Sequence, residues 1–461
     1  MGVSDLLFYP VYLLLFYLFF KARRQKIEDP VLRIYHNRGF WIKALAVIPF
    51  ALFNSKISPG DSYVLYHVEG LNISKLILKD FSNLRFLTSP GTEYDQSGLL
   101  ADTWNAGYCR DINNFMVVKI VSVMSFFTFG KYLITCLFFS MISFSGVWRL
   151  YRFFYEQYPH LHKQIAFAIL YLPTFVFWSA GILKDPLCTG AMGWITYALY
   201  DAFYKKHNMG KNMLIIFISG YVLVALKIYI LVAYVPFLLL FLMLKNVNLV
   251  KSPIVKMAIV GGMFIGIILG FTQIMSQLQG SMSKYAAQGI TKTIQSYQTN
   301  YAAQESWASS NFSLGVEFDG SVTSLIKMAP AAVAATLYRP FIWESAKIST
   351  LLSSLEGLIL LLFTLKVFFK VGIGKFFKAM KDPAILYCIA FSLLFALFVG
   401  ATTPNFGTLC RYKIPCMPFY VLAITLILDK YGALKKVAAP VAKKQEEENT
   451  ATENIQGLAL A

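Results

Sequence analysis

Phe177-Trp178-Ser179-Ala180-Gly181-Ile182-Leu183-Lys184-Asp185-Pro186-Leu187-Cys188-Thr189-Gly190 joins two apolar runs, 164–182 before it and 186–204 after it. A cation and an anion stand side by side at the turn, and a proline follows. Between two membrane helices such a pair is either a plain hairpin at the water boundary or the rim of a polar site. The choice depends on which side of the membrane the turn faces, so topology has to be read first.

The composition is that of a membrane protein. Of 461 residues, 57% are hydrophobic and only 14% charged, with a mean hydropathy of +0.56. A soluble domain carries about 25% charged residues. Repeated apolar runs of about 15–22 residues therefore predict an all-α polytopic membrane protein without a separate soluble domain. The first run lacks a basic leader and a small-residue cleavage site, so no cleavable signal peptide is expected. The net charge of +18 sits in short loops, where it sets orientation, and nucleic-acid binding is not expected. The six cysteines show no metal-ligand spacing. Cys136, Cys188 and Cys388 read as packing residues, while Cys109 and Cys410 fall on one aqueous face, which leaves a disulfide open.

The basic loops assign the sides. Run 5–20 is followed by Lys21, Arg23, Arg24, Lys26, Arg33 and Arg38, a cytoplasmic loop. Run 40–54 leads back out, with Lys43 near its cytoplasmic end, where it can snorkel. A polar loop follows; at about 60 residues it is too long for a connector. If 113–129 crosses the membrane, Arg149, Lys205 and Lys245 and their neighbours all fall outside. If it lies in the interface, all fall inside, and this solution is adopted. The remaining spans are 131–148, 164–182, 186–204, 212–226, 228–244, 254–274, 348–369, 383–400 and 414–428. They give about eleven in all, with the N-terminus external and the C-terminus cytoplasmic. The domain organisation is a bundle over 1–430, with external loops 55–130 and 277–347, and a disordered cytoplasmic tail over 431–461. Segment 326–344 has an amphipathic pattern and is expected to lie at or dip into the interface.

This topology puts seven ionic side chains on one face. Lys227 splits the apolar stretch 213–244, which is too long for one span and enough for two short ones. It is either a snorkelling turn lysine or a phosphate contact at the polar boundary. Arg339 is either an interfacial anchor beside Tyr338 and Trp343 or a second such contact. Arg411 and Lys413 open the last span, against the usual charge bias, and an anionic ligand accounts for external cations of this kind. Asp61, in a Pro-Gly turn, is either a solvated loop acid or a general base toward a sugar hydroxyl. Asp185 is the second acid, with Lys184 beside it; the pair is otherwise a surface salt bridge. No Walker, HExxH, GxGxxG or GxSxG motif occurs, and no ligand motif supports a divalent metal, so metal dependence stays open.

The stretches Phe177–Asp185, Lys227, Tyr338-Arg339-Pro340-Phe341 and Asn405-Phe406-Gly407-Thr408-Leu409-Cys410-Arg411-Tyr412-Lys413-Ile414-Pro415 together resemble polytopic proteins of surface polysaccharide synthesis in Bacteroidetes-type bacteria. More distantly, the layout is similar to GT-C superfamily glycosyltransferases and O-antigen-polymerase-like proteins. The resemblance implies a GT-C-like bundle with interfacial helices in a bacterial inner membrane. It also implies a polyprenyl-phosphate-linked sugar donor and a glycan or lipid-linked acceptor. Asp61 matches the position of the catalytic acid in the first external loop, although the usual acidic pair is not present beside it. On this reading Lys184, Lys227, Arg339, Arg411 and Lys413 meet the phosphate. Tyr63, Tyr66, Tyr94, Trp104, Tyr297 and Trp307 either stack on sugar rings or anchor the interface. A lipid-linked oligosaccharide flippase and a non-enzymatic membrane assembly component are the competing functions.

Overall fold

The computed structural model describes residues 3–247, 310–316, 322–345 and 347–434. The expected span 254–274, most of loop 277–347 including Tyr297 and Trp307, and the tail from 435 lie outside the described residues. Helices make up the described chain, with one isolated bridge, Asn311 to Asn405, and no strand. The elements used below are α1 (Val3–Gln25), α2 (Pro30–Leu52), α3 (Val68–Lys79), α4 (Ile112–Thr128), α5 (Tyr132–Tyr155), α6 (Pro173–Trp178), α7 (Lys184–Leu199), α8 (Met209–Val247), α9 (Val322–Tyr338), α10 (Ile348–Lys370), α11 (Pro383–Thr402), α12 (Phe406–Tyr412) and α13 (Met417–Lys430).

Among the described residues six helices are long and apolar enough to cross a membrane. Counting the α12–α13 pair, bent by 64°, makes seven. The chain is therefore a membrane-embedded helical protein, and the count of eleven spans is not confirmed. One reason is Pro173. It removes a backbone donor and turns Leu172 to an extended conformation (φ −60°, ψ 116°), so the expected span 164–182 is not a continuous helix. Instead it runs as a short helical segment, a wide turn and the six-residue α6.

The expected division at Lys227 is present as a kink in α8, where Lys227 adopts φ −151°, ψ 74°. Near the start of α8, Asn212 donates to Asp201 at 2.8 Å; near its end, Lys245 lies 4.5 Å from the Tyr204 ring. A straight helix from Asn212 to Lys245 would be about 50 Å long. Both ends meet the same turn, so the chain doubles back at Lys227 into arms of about 22 Å and about 27 Å.

Caps set several starts. Asp29 caps α2 by accepting from Val31 and Leu32 ahead of Pro30 at the first position, and Asp382 repeats the arrangement before Pro383 of α11. At the Tyr155 end of α5 the polar side chains pair with one another: Lys205 with Glu156 at 2.5 Å, His160 with Asp429 at 2.9 Å and Lys430 with Asp382 at 3.3 Å. At the Tyr132 end, about 35 Å away, Tyr132 meets Ser62 at 2.8 Å, next to Asp61.

Loop 55–130 is folded. Fully buried Glu69 accepts from Tyr94, Ala101, Asp102 and Asn105, and Asp95 accepts from Gly107 and Arg110. Of the loop aromatics, Tyr66 and Tyr94 are buried and Trp104 is exposed. α4, the expected interfacial helix, packs on α3 across Gly70, where an added Cβ would lie 2.6 Å from Val121. The six cysteines are buried free thiols, Cys109 and Cys410 among them.

The tightest helix contact is between α5 and α7. A Cβ on Gly146 would sit 2.0 Å from the Gly190 carbonyl oxygen, and one on Gly193 would sit 1.9 Å from that of Gly146. Such close approach of backbones is how small residues hold membrane helices together. Gly146→Val is expected to cost about 3 kcal/mol, read as a lost or strongly lowered melting transition in detergent. Gly210→Ala, where a Cβ meets open space, is expected to leave it unchanged.

Candidate functional site

Asp185 lies in the first turn of α7, after Leu183 has left the helical region (φ −148°, ψ 170°). An acid there is favoured by the helix dipole. Its side chain has no exposed surface, and each oxygen faces a cation: Lys227 Nζ donates to Oδ1 at 2.5 Å and Arg411 Nε to Oδ2 at 2.8 Å. Lys227 reaches it because the α8 kink turns the chain at that residue. Arg411 reaches it from α12, whose start is capped by Asn405 accepting from Thr408. The Tyr412 ring lies beside both cations, 4.5 Å from Lys227 Nζ and 5.7 Å from the Arg411 guanidinium carbon.

The exposed rim completes the cluster. Arg411 Nη1 also contacts Asp61 Oδ2 at 3.4 Å, and the Asp61 side chain is 54% exposed. Lys184 faces Asp111 at 3.7 Å, where Asp111 caps α4 by accepting from Asn114. Buried Tyr66 donates to Asn114 at 2.9 Å, close to the same acids. Burial pushes the Lys184 amine down to about 8; Asp111 and Asp61 oppose the shift, and Lys227 and Arg411 add to it. Burial raises the Asp185 carboxyl, but the charges of Lys227 and Arg411 outweigh it and hold the group below the usual carboxylate range. Asp185 thus stays ionised near neutrality while Lys184 titrates just above it.

Five of the seven side chains singled out from the sequence therefore meet at one point: Asp61, Lys184, Asp185, Lys227 and Arg411. The other two lie alongside. Arg339 pairs with Glu344, donates to the Ser313 carbonyl at 3.2 Å and stacks 4.4 Å from Phe312. Lys413 is fully buried and donates to the Arg339 carbonyl at 3.2 Å. Each of Lys184, Lys227, Arg339 and Arg411 has an acid partner, so these cations are balanced within the protein. Among the described residues no three His, Cys, Asp or Glu side chains gather to hold a metal ion.

Two ionic residues were not anticipated as part of the interior. Lys43 is buried rather than snorkelling, with its amine on Ser143 and Ser179. Glu356, buried in α10, accepts from the backbone and hydroxyl of Thr174. Each is an isolated charge within an apolar run, and that was the available signal.

Helices α9, α10, α11 and α13 enclose an open cavity of about 390 Å³ with an almost wholly apolar lining, including Ala334, Leu337, Val367 and Ile424. Its polar groups satisfy one another: the Tyr338 and Tyr420 hydroxyls are 2.6 Å apart, and Thr364 is 2.9 Å from Tyr420. Arg339 directly follows Tyr338.

No protein-family model, curated protein or solved structure matches this chain.

Removing Asp185 leaves buried Lys227 without an acid and Arg411 with only its 3.4 Å contact to Asp61, whereas removing Asp61 breaks an exposed pair. Asp185→Asn is expected to destabilise the protein by about 3–5 kcal/mol and Asp61→Asn by less than about 1 kcal/mol. Melting of the two variants in the same detergent measures the difference.

Proposed function

We propose that the chain is a membrane glycosyltransferase or polysaccharide polymerase at the external face of a bacterial inner membrane, with its N-terminus outside and its C-terminus in the cytoplasm. It takes a sugar from a polyprenyl-phosphate donor and passes it to a glycan or lipid-linked acceptor. The observation that carries this reading is the contact of Asp61 with Arg411: a half-exposed carboxylate stands against a cation whose other face is held by a buried acid. Asp61 accepts the proton of the acceptor hydroxyl as that oxygen bonds to the anomeric carbon. The bond from that carbon to the phosphate oxygen breaks, and the phosphate leaves with the electron pair. Lys184 and Arg411 face the charge that develops on the leaving group. Asp185 is fully enclosed by cations, so it orients Lys227 and Arg411 rather than taking a proton. The apolar cavity next to Arg339 offers room for part of a prenyl chain.

One observation favours the flippase alternative: Lys43 and Glu356 are ionisable groups facing the interior of the bundle. A product assay separates the two readings, since a flippase moves lipid-linked glycan without forming a glycosidic bond.

Asp61→Asn is expected to lower glycan product by about 10²–10⁴-fold while the variant still reaches the membrane; unchanged product sinks the assignment. The pH dependence follows from Lys184. Its charge is present below its lowered value of about 8 and lost above it. Donor affinity is therefore expected to fall as pH rises through 8 or slightly higher, since a bound phosphate holds the proton on. Lys184→Arg is expected to flatten that limb, as measured by donor binding between pH 6.5 and 9.5.

A further inference from the structure

The six-residue helix α6 is held by a carboxyl group at its start and an amine at its end. At its start, the backbone N–H of Thr174 donates to one oxygen of Glu356 at 2.8 Å, and the Thr174 hydroxyl donates to the other. Both oxygens of Glu356 are thus engaged by Thr174. Just past its end, Lys43 donates to the Ser179 carbonyl at 2.7 Å, to the Ser179 hydroxyl at 2.5 Å and to the Ser143 hydroxyl at 3.2 Å. The protons of these hydroxyls are directed elsewhere. Ser179 donates to Phe175, Thr189 donates to the Asp185 carbonyl at 2.9 Å, and this leaves Ser143 to donate to Thr189 at 3.2 Å. Lys43 Nζ lies within hydrogen-bond distance of three oxygens, one from α5 and two from the segment after α6. Among the described residues it has no carboxylate within 4.0 Å. A carboxyl group at the start and an amine at the end is the order that a helix dipole favours.

Both routes from this bracket lead to Asp185. The first is the link from Ser179 to Lys184. Ala180, Ile182 and Leu183 are buried, and Gly181 passes so close to Phe50 that a Cβ would lie 1.9 Å from its ring. A displaced Ser179 has no slack there to absorb the shift. The second is the hydroxyl chain from Lys43 through Ser143 and Thr189 to the Asp185 carbonyl.

We infer that Glu356 and Lys43 are positioning residues: together they hold α6 by its two ends and thereby set where Lys184 and Asp185 stand against Asp111, Lys227, Arg411 and Asp61. Neither touches a reacting atom. The role belongs to the geometry of the cluster and stands whether or not the cluster transfers sugar.

The test reads the Lys184 amine directly. Full-length protein in detergent micelles is treated with an amine-acylating reagent from pH 6.5 to 10.5, and modification is followed by mass spectrometry. Exposed Lys430 serves as the internal reference. In the wild type, Lys184 acylation is expected to rise through about pH 8. In Glu356→Gln the loosened link readmits water to Lys184. Its midpoint is then expected to move up by about a unit toward the ordinary lysine value of about 10.4, with the Lys430 profile unchanged. Thr174→Val, which removes one bond of the bracket and keeps side-chain shape, is expected to move it the same way by less, and it decides the matter if Glu356→Gln does not fold. A variant that melts earlier while its Lys184 profile matches the wild type overturns the inference, because a purely structural role predicts that outcome.

Discussion

A carboxylate with no exposed surface, inside a protein this apolar, requires compensation on both oxygens, and Asp185 receives it from Lys227 and Arg411. One cation balances the single charge of Asp185; the second satisfies its other oxygen and is itself balanced by Asp61 at the rim. The three side chains therefore depend on one another. Their meeting pins the start of α7, the kink of α8 and the end of α12 to one point. Basic residues at the ends of apolar runs, odd when each is taken alone, follow from this requirement.

The backbone around the point is irregular in the same neighbourhood. The break at Pro173, the fold-back at Lys227 and the bend between α12 and α13 each free backbone groups that a continuous helix would have paired. Within a membrane such groups must be met by protein. Here charged side chains meet several of them: Glu356 takes the Thr174 N–H, Lys43 takes the Ser179 carbonyl and Lys413 takes the Arg339 carbonyl. Interior charge in this protein is thus tied to discontinuous helices, and the discontinuities are what bring polar side chains to a common site.

Much of this was readable in the residues, and the limits have physical causes. Apolar run length exposed the membrane helices, and the length of 213–244 exposed the fold-back at Lys227, because span length is set by the bilayer. Loop charge bias assigned Asp61, Lys184, Asp185, Lys227 and Arg411 to one face, and in the structure they meet. Partner identity was not legible. Asp185 and Arg411 are 226 positions apart, Asp61 and Arg411 350, and loop charge bias carries no information about which acid meets which base. Run 164–182 was read by hydropathy without weighing Pro173. Lys43 was placed at a boundary by its distance from the basic loop, whereas the tight fit of α2 against Ser143 and Ser179 takes it inside.

Balanced charge at the site raises the question of how an anion could enter. The acids differ in what holds them. Asp185 is enclosed by two cations, while Asp61 and Asp111 have side chains 54% and 43% exposed and one cation each, at 3.4 and 3.7 Å. Exposed pairs of this kind contribute about 0–1 kcal/mol each, so an incoming phosphate group can replace them at little cost, whereas displacing Asp185 would leave buried Lys227 without an acid. The cluster divides into a fixed core of Asp185, Lys227 and Arg411 and an exchangeable rim. On the proposed reading the exchange has a direct chemical consequence. A phosphate that takes over the outer face of Arg411 releases Asp61 from that contact and leaves its carboxylate free to meet the acceptor hydroxyl. Donor binding would then prepare the base that the transfer needs.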